Sequence, residues 1–188
     1  LKHSSEYLGI AREQLTRIAG IIQRMRDFYR PTREELEPTD LNELLHATGE
    51  LMQTHLRHSH IVFQAALAPN LPPIIAHADQ MRQVFLNLML NACDAMEGGG
   101  TLGAHSRLRA SAGQAAIEIQ ISDTGVGIEP EHLAHLFEPF YTTKAQGTGL
   151  GLAISAHIIT QHGGQLSVES TPGQGATFTI LLPLDANG

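Results

Sequence analysis

The sequence predicts an α+β fold, a two-layer α/β sandwich in which helices cover one face of a mixed sheet, preceded by one long helix. Two observations support this prediction. Segments that alternate apolar and polar residues, as strands do, occur in neighbouring pairs, and segments of helical periodicity lie between the pairs. A separate helical pattern fills the first thirty residues and stops at Pro31.

The composition of the 188 residues excludes several classes of protein. With 42% hydrophobic residues, the chain can bury a core without disulfides, and the single Cys93 fits a reducing compartment, so we expect a cytoplasmic location. A net charge of -7 argues against a protein that coats nucleic acid. No apolar run reaches the ~18 to 20 residues that cross a bilayer, so we expect no membrane contact by this chain. Because it begins with Leu1, we expect it to belong to a longer protein.

Residues 1–31 form the predicted long helix, and its apolar residues follow a heptad pattern. They are spaced alternately three and four apart, at Leu8, Ala11, Leu15, Ile18, Ile22, Met25 and Tyr29. This period favours a dimerising bundle, although a helix folded back onto the domain is the alternative. Residues 32–39 are rich in acidic residues and predict a linker. Residues 40–185 then form the main domain.

The main domain is predicted to begin with a capping box. Asp40 followed by Glu43 opens a helix that runs to about His58, and Asp79 is expected to cap a later helix that ends before the glycines at 98–100. The other expected helices lie near 130–136 and from about Gly149 to His162. The expected strands lie around 61–65, at 74–76, at about 101–110 and 115–122, at 165–170 and at 176–182.

Three polar residues share one face of the second helix of this domain. Asn87, Asn91 and Asp94 are four and three residues apart, which places them along a single stripe. A carboxamide oxygen can ligate Mg²⁺, which proteins typically hold with one or two oxygens plus substrate phosphates. Asparagines on an ordinary solvent-facing surface are the alternative interpretation.

Two glycine-rich segments follow. Asp123-Thr-Gly-Val-Gly127 comes directly after a predicted strand, where a carboxylate can accept from an amine and glycines let the backbone approach a flat ligand; a simple glycine turn is the alternative. Gly147-Thr-Gly-Leu-Gly151 opens a helix, whose free N–H groups favour phosphate. Lys144 lies three residues upstream and can add a cation. Between them, Phe137-Glu-Pro-Phe140 is typical of an aromatic loop that closes over a ligand.

The four segments in this order resemble the catalytic and ATP-binding domain of sensor histidine kinases, within the Bergerat-fold (GHKL) superfamily that includes type II topoisomerase, mismatch-repair and Hsp90 ATPases. Residues 83–96 resemble the N box, 123–127 the G1 box, 137–140 the F box and 147–151 the G2 box. Thr171-Pro-Gly-Gln-Gly-Ala-Thr-Phe178 resembles the closing glycine segment of the family.

The resemblance implies that residues 40–185 are an ATP-binding catalytic domain that uses ATP and Mg²⁺. It implies that Asp123 binds the adenine amino group and that Asn91 binds the metal. It also implies that Asn87 and Lys144 are the catalytic residues of the domain and that both lie beside the terminal phosphate. The residues assigned to nucleotide binding are Asn87, Asn91, Asp123, Gly125, Gly127, Lys144, Gly147, Thr148, Gly149, Leu150, Gly151 and Thr177. The segment from about 128 to 146 corresponds to the lid over the nucleotide.

Two features depart from the family pattern. Many members have Lys or Arg where this chain has Asp94. Residues 1–31 resemble the second helix of the dimerisation and phosphotransfer hairpin, but the first helix is missing, and His3 lacks the His-Glu/Asp-x-x-x-Pro context of the phosphoacceptor. We therefore expect the chain to bind Mg-ATP without phosphorylating itself.

The resemblance also implies the partners. These are a response-regulator receiver domain and, through the N-terminal helix of the full-length protein, a second copy of the chain. Any membrane anchor would lie in a missing upstream region. A nucleotide-sensing or scaffolding module without kinase activity is one alternative. An ATPase of the same superfamily is another, which is disfavoured because Asn87 stands where those enzymes have a general-base Glu.

Overall fold

The computed structural model describes residues 36–111, 114–144 and 147–184. The predicted helix over 1–31, His3 and most of the predicted linker lie outside these residues. The described helices are α1 (Leu41–Leu51), α2 (Gln53–His58), α3 (Ala78–Asp94), α4 (Pro130–Leu133) and α5 (Gly151–Gln161). The described strands are β1 (Glu37–Thr39), β2 (Ile61–Leu67), β3 (Ile74–Ala76), β4 (Gly100–Ser111), β5 (Gln114–Asp123), β6 (Gln165–Ser170) and β7 (Ala176–Pro183).

Five of these strands form the main sheet, in the order β2-β4-β5-β7-β6. The β2–β4 pair is parallel and the other three pairs are antiparallel, so the sheet is mixed. Apolar residues of α1, α3 and α5 share one core cluster with alternate residues of the strands. This confirms the predicted α+β sandwich. Among the described helices, none is both long and apolar enough to cross a membrane.

The alternation along β5 shows how the sheet separates its two faces. Ile117, Ile119 and Ile121 are buried in the shared core. Glu118 points to the opposite face, yet it is 1% exposed, because Arg107 and Arg109 of β4 both reach its carboxylate at 2.5 Å. Two arginines therefore neutralise and cover this buried acid on the outer face of the sheet.

The end of the predicted linker is instead a strand. Glu37–Thr39 pairs antiparallel with Ile74–Ala76 in a separate two-stranded sheet. Thr39 is buried, and its hydroxyl donates to the carbonyl of Ala76 at 3.3 Å. The prediction failed here because a three-residue strand that contains Pro38 has too short a pattern, and its partner lies 37 residues away.

Two expectations about helices were also wrong. The single helix predicted to end at His58 is divided into α1 and α2 at Met52, which is buried at 3% exposure and belongs to the core. Asp79 does not cap α3, because His77 occupies the N-cap position and Asp79 lies inside the first turn. There Asp79 pairs with Arg82 three residues later, which is a helix-surface pair rather than a cap.

Candidate functional site

Asp123 ends β5 and anchors one side of the site. It is 8% exposed, and its Oδ1 accepts from the backbone N–H of Gly125 at 2.8 Å and of Ala176 at 3.3 Å. Burial raises the pKa of Asp123, and these two hydrogen bonds partly oppose that shift. Within the described part of the chain, its second oxygen, Oδ2, has no hydrogen-bond partner. A buried carboxylate is therefore fixed by one oxygen while the other remains free to accept a hydrogen bond.

The loop after Asp123 packs against the end of α3 and the β6–β7 turn. Gly127 has φ 72°, and a Cβ there would lie 2.2 Å from the carbonyl oxygen of Thr171. A Cβ on Gly125 would lie 2.4 Å from the carbonyl oxygen of Ala95. Both glycines are thus required by neighbouring backbone, which is a different reason from the ligand approach considered from the sequence.

Thr177 lies on β7 beside the Asp123 anchor. It is directly opposite Ser122 of β5, and its neighbour Ala176 donates to Asp123. Thr177 is partly exposed, on the face of the sheet opposite the isoleucine core. Asp123 follows the alternation of Ile119 and Ile121 and so lies on the core face of the sheet, whereas Thr177 lies on the other face. The structure therefore does not bring the Thr177 side chain together with the Asp123 carboxylate.

The polar stripe of α3 meets Lys144 in space. The Lys144 ammonium donates to Asn91 Oδ1 at 3.0 Å and to Asp94 Oδ2 at 2.7 Å. The two acceptors lie on the last turns of α3, whereas Lys144 follows α4 by eleven residues. The oxygen of Asn91 predicted to hold a metal ion thus already accepts from a cation.

Asn87 has a different environment from Asn91. Its Nδ2 donates to the carbonyl oxygen of Gly151 at 3.3 Å and to Ser155 Oγ at 3.4 Å. Ser155 Oγ in turn donates to the Gly151 carbonyl at 3.0 Å. Asn87 therefore joins α3 to the first turn of α5, where its amide group has no capacity to take a proton.

The segment Gly147–Gly151 leads into α5, which begins at Gly151. Gly149 has φ 65°, and a Cβ there would lie 2.3 Å from the carbonyl carbon of Phe140. The carbonyl of Gly149 accepts from the Phe140 N–H at 2.9 Å. Thr148 is partly exposed, whereas Leu150 is 4% exposed within the core, so only its backbone can face a ligand.

The predicted aromatic loop has one partly buried and one exposed ring. Phe137 packs against the core cluster, whereas Phe140 is 61% exposed and has φ 68°, an unusual value for a bulky residue. Nearby, Tyr141 Oη lies 2.7 Å from His132 Nδ1, which ties the loop to α4. Of the predicted lid over 128–146, the structure describes residues 128–144.

A cleft of about 550 Å³ lies beside these groups. Its lining residues belong to the end of α3 with the following loop, to the loop after Asp123 and to the β6–β7 turn: Asp94, Ala95, Met96, Glu97, Gly98, Gly99, Thr124, Gly125, Val126 and Gly173. Burial is the main cause that raises the pKa of the Cys93 thiol to about 11, and the negative charges of Asp94 and Asp123 add to it. Cys93 therefore lies close enough to sense the charges of both α3 and the end of β5. The acidic groups of the two motifs therefore converge on one region.

Several contributors to the site were missed by the sequence analysis. Asp94 was predicted as part of the polar stripe and as a departure from the family pattern, but its pairing with Lys144 was not predicted. Ser155 and the Ala176 N–H were not considered at all. The spacing of Ser155, four residues after Gly151 on the same helix face, was a usable signal. No sequence signal predicted the hydrogen bond from the Ala176 N–H to Asp123, because the two residues are 53 apart in the chain.

Comparisons with known proteins agree with this geometry. Residues 76–186 match the family described as histidine kinase-, DNA gyrase B-, and HSP90-like ATPase. The signal transduction histidine-protein kinase AtoS of Escherichia coli K12 is 38% identical over 183 residues, which cover 97% of this chain and 30% of AtoS. The chain thus spans about a third of the length of this relative.

Solved structures give the same result. Full-length ShkA in complex with AMPPNP superposes with a TM-score of 0.76 at 31% identity, over 95% of this chain and 38% of ShkA. The catalytic domain of histidine kinase ThkA superposes with a TM-score of 0.69 at 30% identity, over 80% of this chain and 97% of that domain. The chain therefore belongs to the histidine kinase-, DNA gyrase B- and HSP90-like ATPase family, and its described part is an ATP-binding catalytic domain of the sensor histidine kinase type.

Proposed function

We propose that this chain binds ATP through Asp123 of β5 and through Asn87 and Asn91 of α3. We propose further that it is the catalytic core of a two-component sensor histidine kinase. The buried Asp123 carboxylate carries the proposal. Its Oδ1 is satisfied by two backbone N–H groups, and its Oδ2 can accept from an exocyclic amine such as that of adenine. The loop glycines Gly125 and Gly127 would lie around the base, whereas Thr177 is left out because its side chain lies on the other face of the sheet.

Asn91 of α3 fits Mg²⁺, and Lys144 beside it fits phosphate. Asn91 Oδ1 already accepts from the Lys144 ammonium, so this neutral oxygen is directed at a position where a cation is stable. Magnesium, held there by Asn91, would neutralise phosphate charge and orient the terminal group for in-line transfer. Lys144 and the backbone N–H groups of Gly147, Thr148, Gly149, Leu150 and Gly151 would bind the phosphates.

The proposed reaction transfers the terminal phosphoryl group to a histidine. The bond between that phosphorus and the bridging oxygen of ADP breaks, a bond to an imidazole nitrogen forms, and the imidazole proton is released. Asn87 supports transfer over hydrolysis because its carboxamide, held by Gly151 and Ser155, cannot accept a proton from water. The amide instead keeps α3 in register with the start of α5.

The partners follow from the family and remain part of the proposal. ThkA has been solved in complex with the response regulator protein TrrA. We infer that a receiver domain is likewise the final phosphoryl acceptor in this system and that the full-length protein dimerises through the segment 1–31, for which the sequence predicts a helix. The chain lacks a histidine in the phosphoacceptor context, so we infer that it cannot phosphorylate itself.

Mixing the chain with a separately expressed phosphoacceptor hairpin and radiolabelled ATP tests this function. We expect acid-labile label on the hairpin and none on the chain incubated by itself. Phosphate release without transfer would instead identify an ATPase, and nucleotide binding without either reaction would identify a sensing module. Acid-labile label on His3 would contradict the claim that the chain cannot phosphorylate itself.

A further inference from the structure

We propose that Asp94 is a positioning residue that holds the Lys144 ammonium on Asn91, so that Lys144 and a metal ion exclude one another at the same oxygen. The proposal rests on the proposed function, because it concerns the entry of Mg-ATP into that site. It assigns a role to the acidic residue that replaces the more usual Lys or Arg. We call the ion pair between Asp94 and Lys144 the latch.

The geometry of the latch joins two distant parts of the chain. Lys144 Nζ lies 2.7 Å from Asp94 Oδ2 and 3.0 Å from Asn91 Oδ1, across sequence separations of 50 and 53 residues. Asp94 follows Asn91 by three residues, so both acceptors lie on one face of α3 and converge on one ammonium. The two contacts connect the segment 137–144 to the helix that carries the predicted metal ligand.

Asp94 supplies the charge of the latch and Asn91 does not. The hydrogen bond from the ammonium to the Asn91 carboxamide is charged on the donor side only, whereas the bond to the Asp94 carboxylate joins two opposite charges and adds their Coulomb attraction. The side chains of Asp94 and Lys144 are 51% and 44% exposed, so solvent weakens the pair without abolishing it. Breaking such a pair changes an equilibrium by roughly 1.5- to 5-fold.

The local structure of segment 137–144 transmits the latch to the backbone. The Lys144 N–H donates to Thr142 Oγ1 at 3.1 Å, and the Lys144 carbonyl accepts from the Gly147 N–H at 3.0 Å. The Phe140 N–H donates to the Gly149 carbonyl at 2.9 Å, and the Tyr141 N–H donates to the Glu138 carbonyl at 3.2 Å. Holding the Lys144 side chain on α3 therefore favours the state in which these four hydrogen bonds are formed over the state in which they are broken.

Binding of Mg-ATP must release the latch for two physical reasons. Asn91 Oδ1 cannot hold an ammonium at 3.0 Å and a metal ion at ~2.1 Å at the same position. The Asp94 carboxylate, once separated from Lys144, repels the incoming phosphates. When Lys144 leaves Asp94, its ammonium becomes available to bind the terminal phosphate. The latch therefore opposes nucleotide binding, although its release frees a cation that can then contact the nucleotide.

Hydrogen exchange of the purified chain without nucleotide tests the latch independently of ATP. The probes are the backbone amides of Phe140, Tyr141 and Gly147. We expect exchange at these amides to be about 1.5- to 5-fold faster in Asp94→Asn than in wild type, because an exposed ion pair is lost. Lys144→Gln is expected to give an increase at least as large, because it removes the ammonium that contacts both Asp94 and Asn91. The double variant is expected to exchange no faster than Lys144→Gln, because Asp94 then has no ammonium to hold.

Two further variants separate positioning from general destabilisation. Asp94→Glu keeps the charge and is expected to restore slow exchange. Asp79→Asn removes an exposed acid that pairs with Arg82 on the first turn of the same helix, and it is expected to leave the three amides unchanged. Equal exchange in wild type, Asp94→Asn and Asp79→Asn would overturn the proposal, as would additive effects in the double variant.

Calorimetric titration with Mg-AMPPNP measures the competition between the Lys144 ammonium and the metal ion for Asn91 Oδ1. We expect Asp94→Asn to bind the nucleotide about 1.5- to 5-fold more tightly than Asp79→Asn, and equal or weaker binding by Asp94→Asn would overturn the competition at Asn91. Failure of the proposed function gives a different result, because then wild type and every variant fail to bind the nucleotide, while the exchange experiment still reports whether the latch exists.

Discussion

At the scale of single residues, Asp123 combines a proposed role in base binding with an energetic cost of burial. It is buried at 8% exposure, and its Oδ1 is held by the N–H groups of Gly125 and Ala176. Burial raises its pKa above the ordinary value of 3.8, so the folded state binds a proton more readily than the unfolded chain. Ionisation therefore lowers stability as the pH rises from 3.8 through the folded pKa, and the cost is complete above that pKa.

Asp123→Asn is therefore expected to unfold at the same or a higher denaturant concentration than wild type at pH 7. The asparagine Oδ1 can accept from both backbone N–H groups, and the neutral side chain carries no ionisation cost in a buried site. Urea denaturation followed by circular dichroism measures this. A loss of more than about 1 kcal/mol in unfolding free energy would contradict the account, since that is the contribution of a typical hydrogen bond.

How far single residues could be predicted depended on how local their interactions are. Asp40 was predicted as a helix cap, and its Oδ1 accepts from the N–H groups of Asn42 and Glu43 at 2.8 and 3.1 Å. The partners of Asn91 and Asp94 could not be predicted, because Lys144 is about fifty residues away and only the folded chain brings it to α3. Asp79 has the composition of a cap, but the end of β3 at Ala76 moves the helix start to Ala78.

At the scale of elements, the N-terminus of α1 depends on this Asp40 cap. We expect Asp40→Ala to lower the free energy of unfolding by about 1 kcal/mol, because two N–H groups lose their acceptor. The matched control is Asp79→Ala, which removes an exposed helix-surface pair and is expected to cost less than about 0.5 kcal/mol. Equal losses in urea denaturation of the two variants would show that Asp40 does not cap the helix.

Two histidines connect α3 to the end of α5. The His77 N–H at the start of α3 donates to His162 Nε2 at 3.2 Å, and His162 Nδ1 lies 2.8 Å from the Ile158 carbonyl. Nε2 is an acceptor and Nδ1 a donor, so this arrangement requires the neutral imidazole. Burial, assisted by nearby His77, lowers the pKa of His162 below 6.5, although the Ile158 contact opposes the shift.

Stability is therefore expected to decrease as the pH falls below 6.5 towards the folded pKa of His162. In this window the unfolded chain binds the proton that the folded state excludes, and above pH 6.5 the stability is fully present. Melting temperatures at pH 7.5 and 5.5 measure the effect. His162→Gln should show a smaller decrease than wild type, whereas the exposed control His105→Gln should match wild type. The same decrease in all three would contradict this assignment.

The elements themselves were predicted more accurately than their boundaries. Long alternating segments such as β5 and β7 were identified because inward residues such as Ile119 and Ile180 repeat with the strand period. The division of α1 from α2 at Met52 was not predicted, because Met52 is an ordinary helix former whose burial is decided by tertiary packing. Strand β1 was missed for the same reason, since its pairing with β3 is its main determinant.

At the scale of the whole molecule, the fold brings two sides of one site together. The sheet carries Asp123 at the end of a central strand, and α3 carries Asn91 on the helical layer. The cleft between the loop after Asp123 and the end of α3 joins them, and the Lys144 ammonium reaches Asn91 and Asp94 from a third segment. In the proposed site, Lys144, backbone N–H groups and a metal ion would supply positive charge locally, so a net charge of -7 is compatible with nucleotide binding.

The central claim is that Asp123 recognises the base of a nucleotide bound at this site. Calorimetric titration of the wild-type chain, Asp123→Asn and the control Asp79→Asn with Mg-AMPPNP tests it most directly. In Asp123→Asn, Oδ1 remains with the backbone N–H groups and Nδ2 then faces the adenine amine, so two donors oppose each other. We expect binding to weaken about tenfold or more, because a hydrogen bond to a charged group contributes about 1.5–3 kcal/mol, while Asp79→Asn binds as wild type does. Equal affinities in all three proteins would contradict the assignment of Asp123.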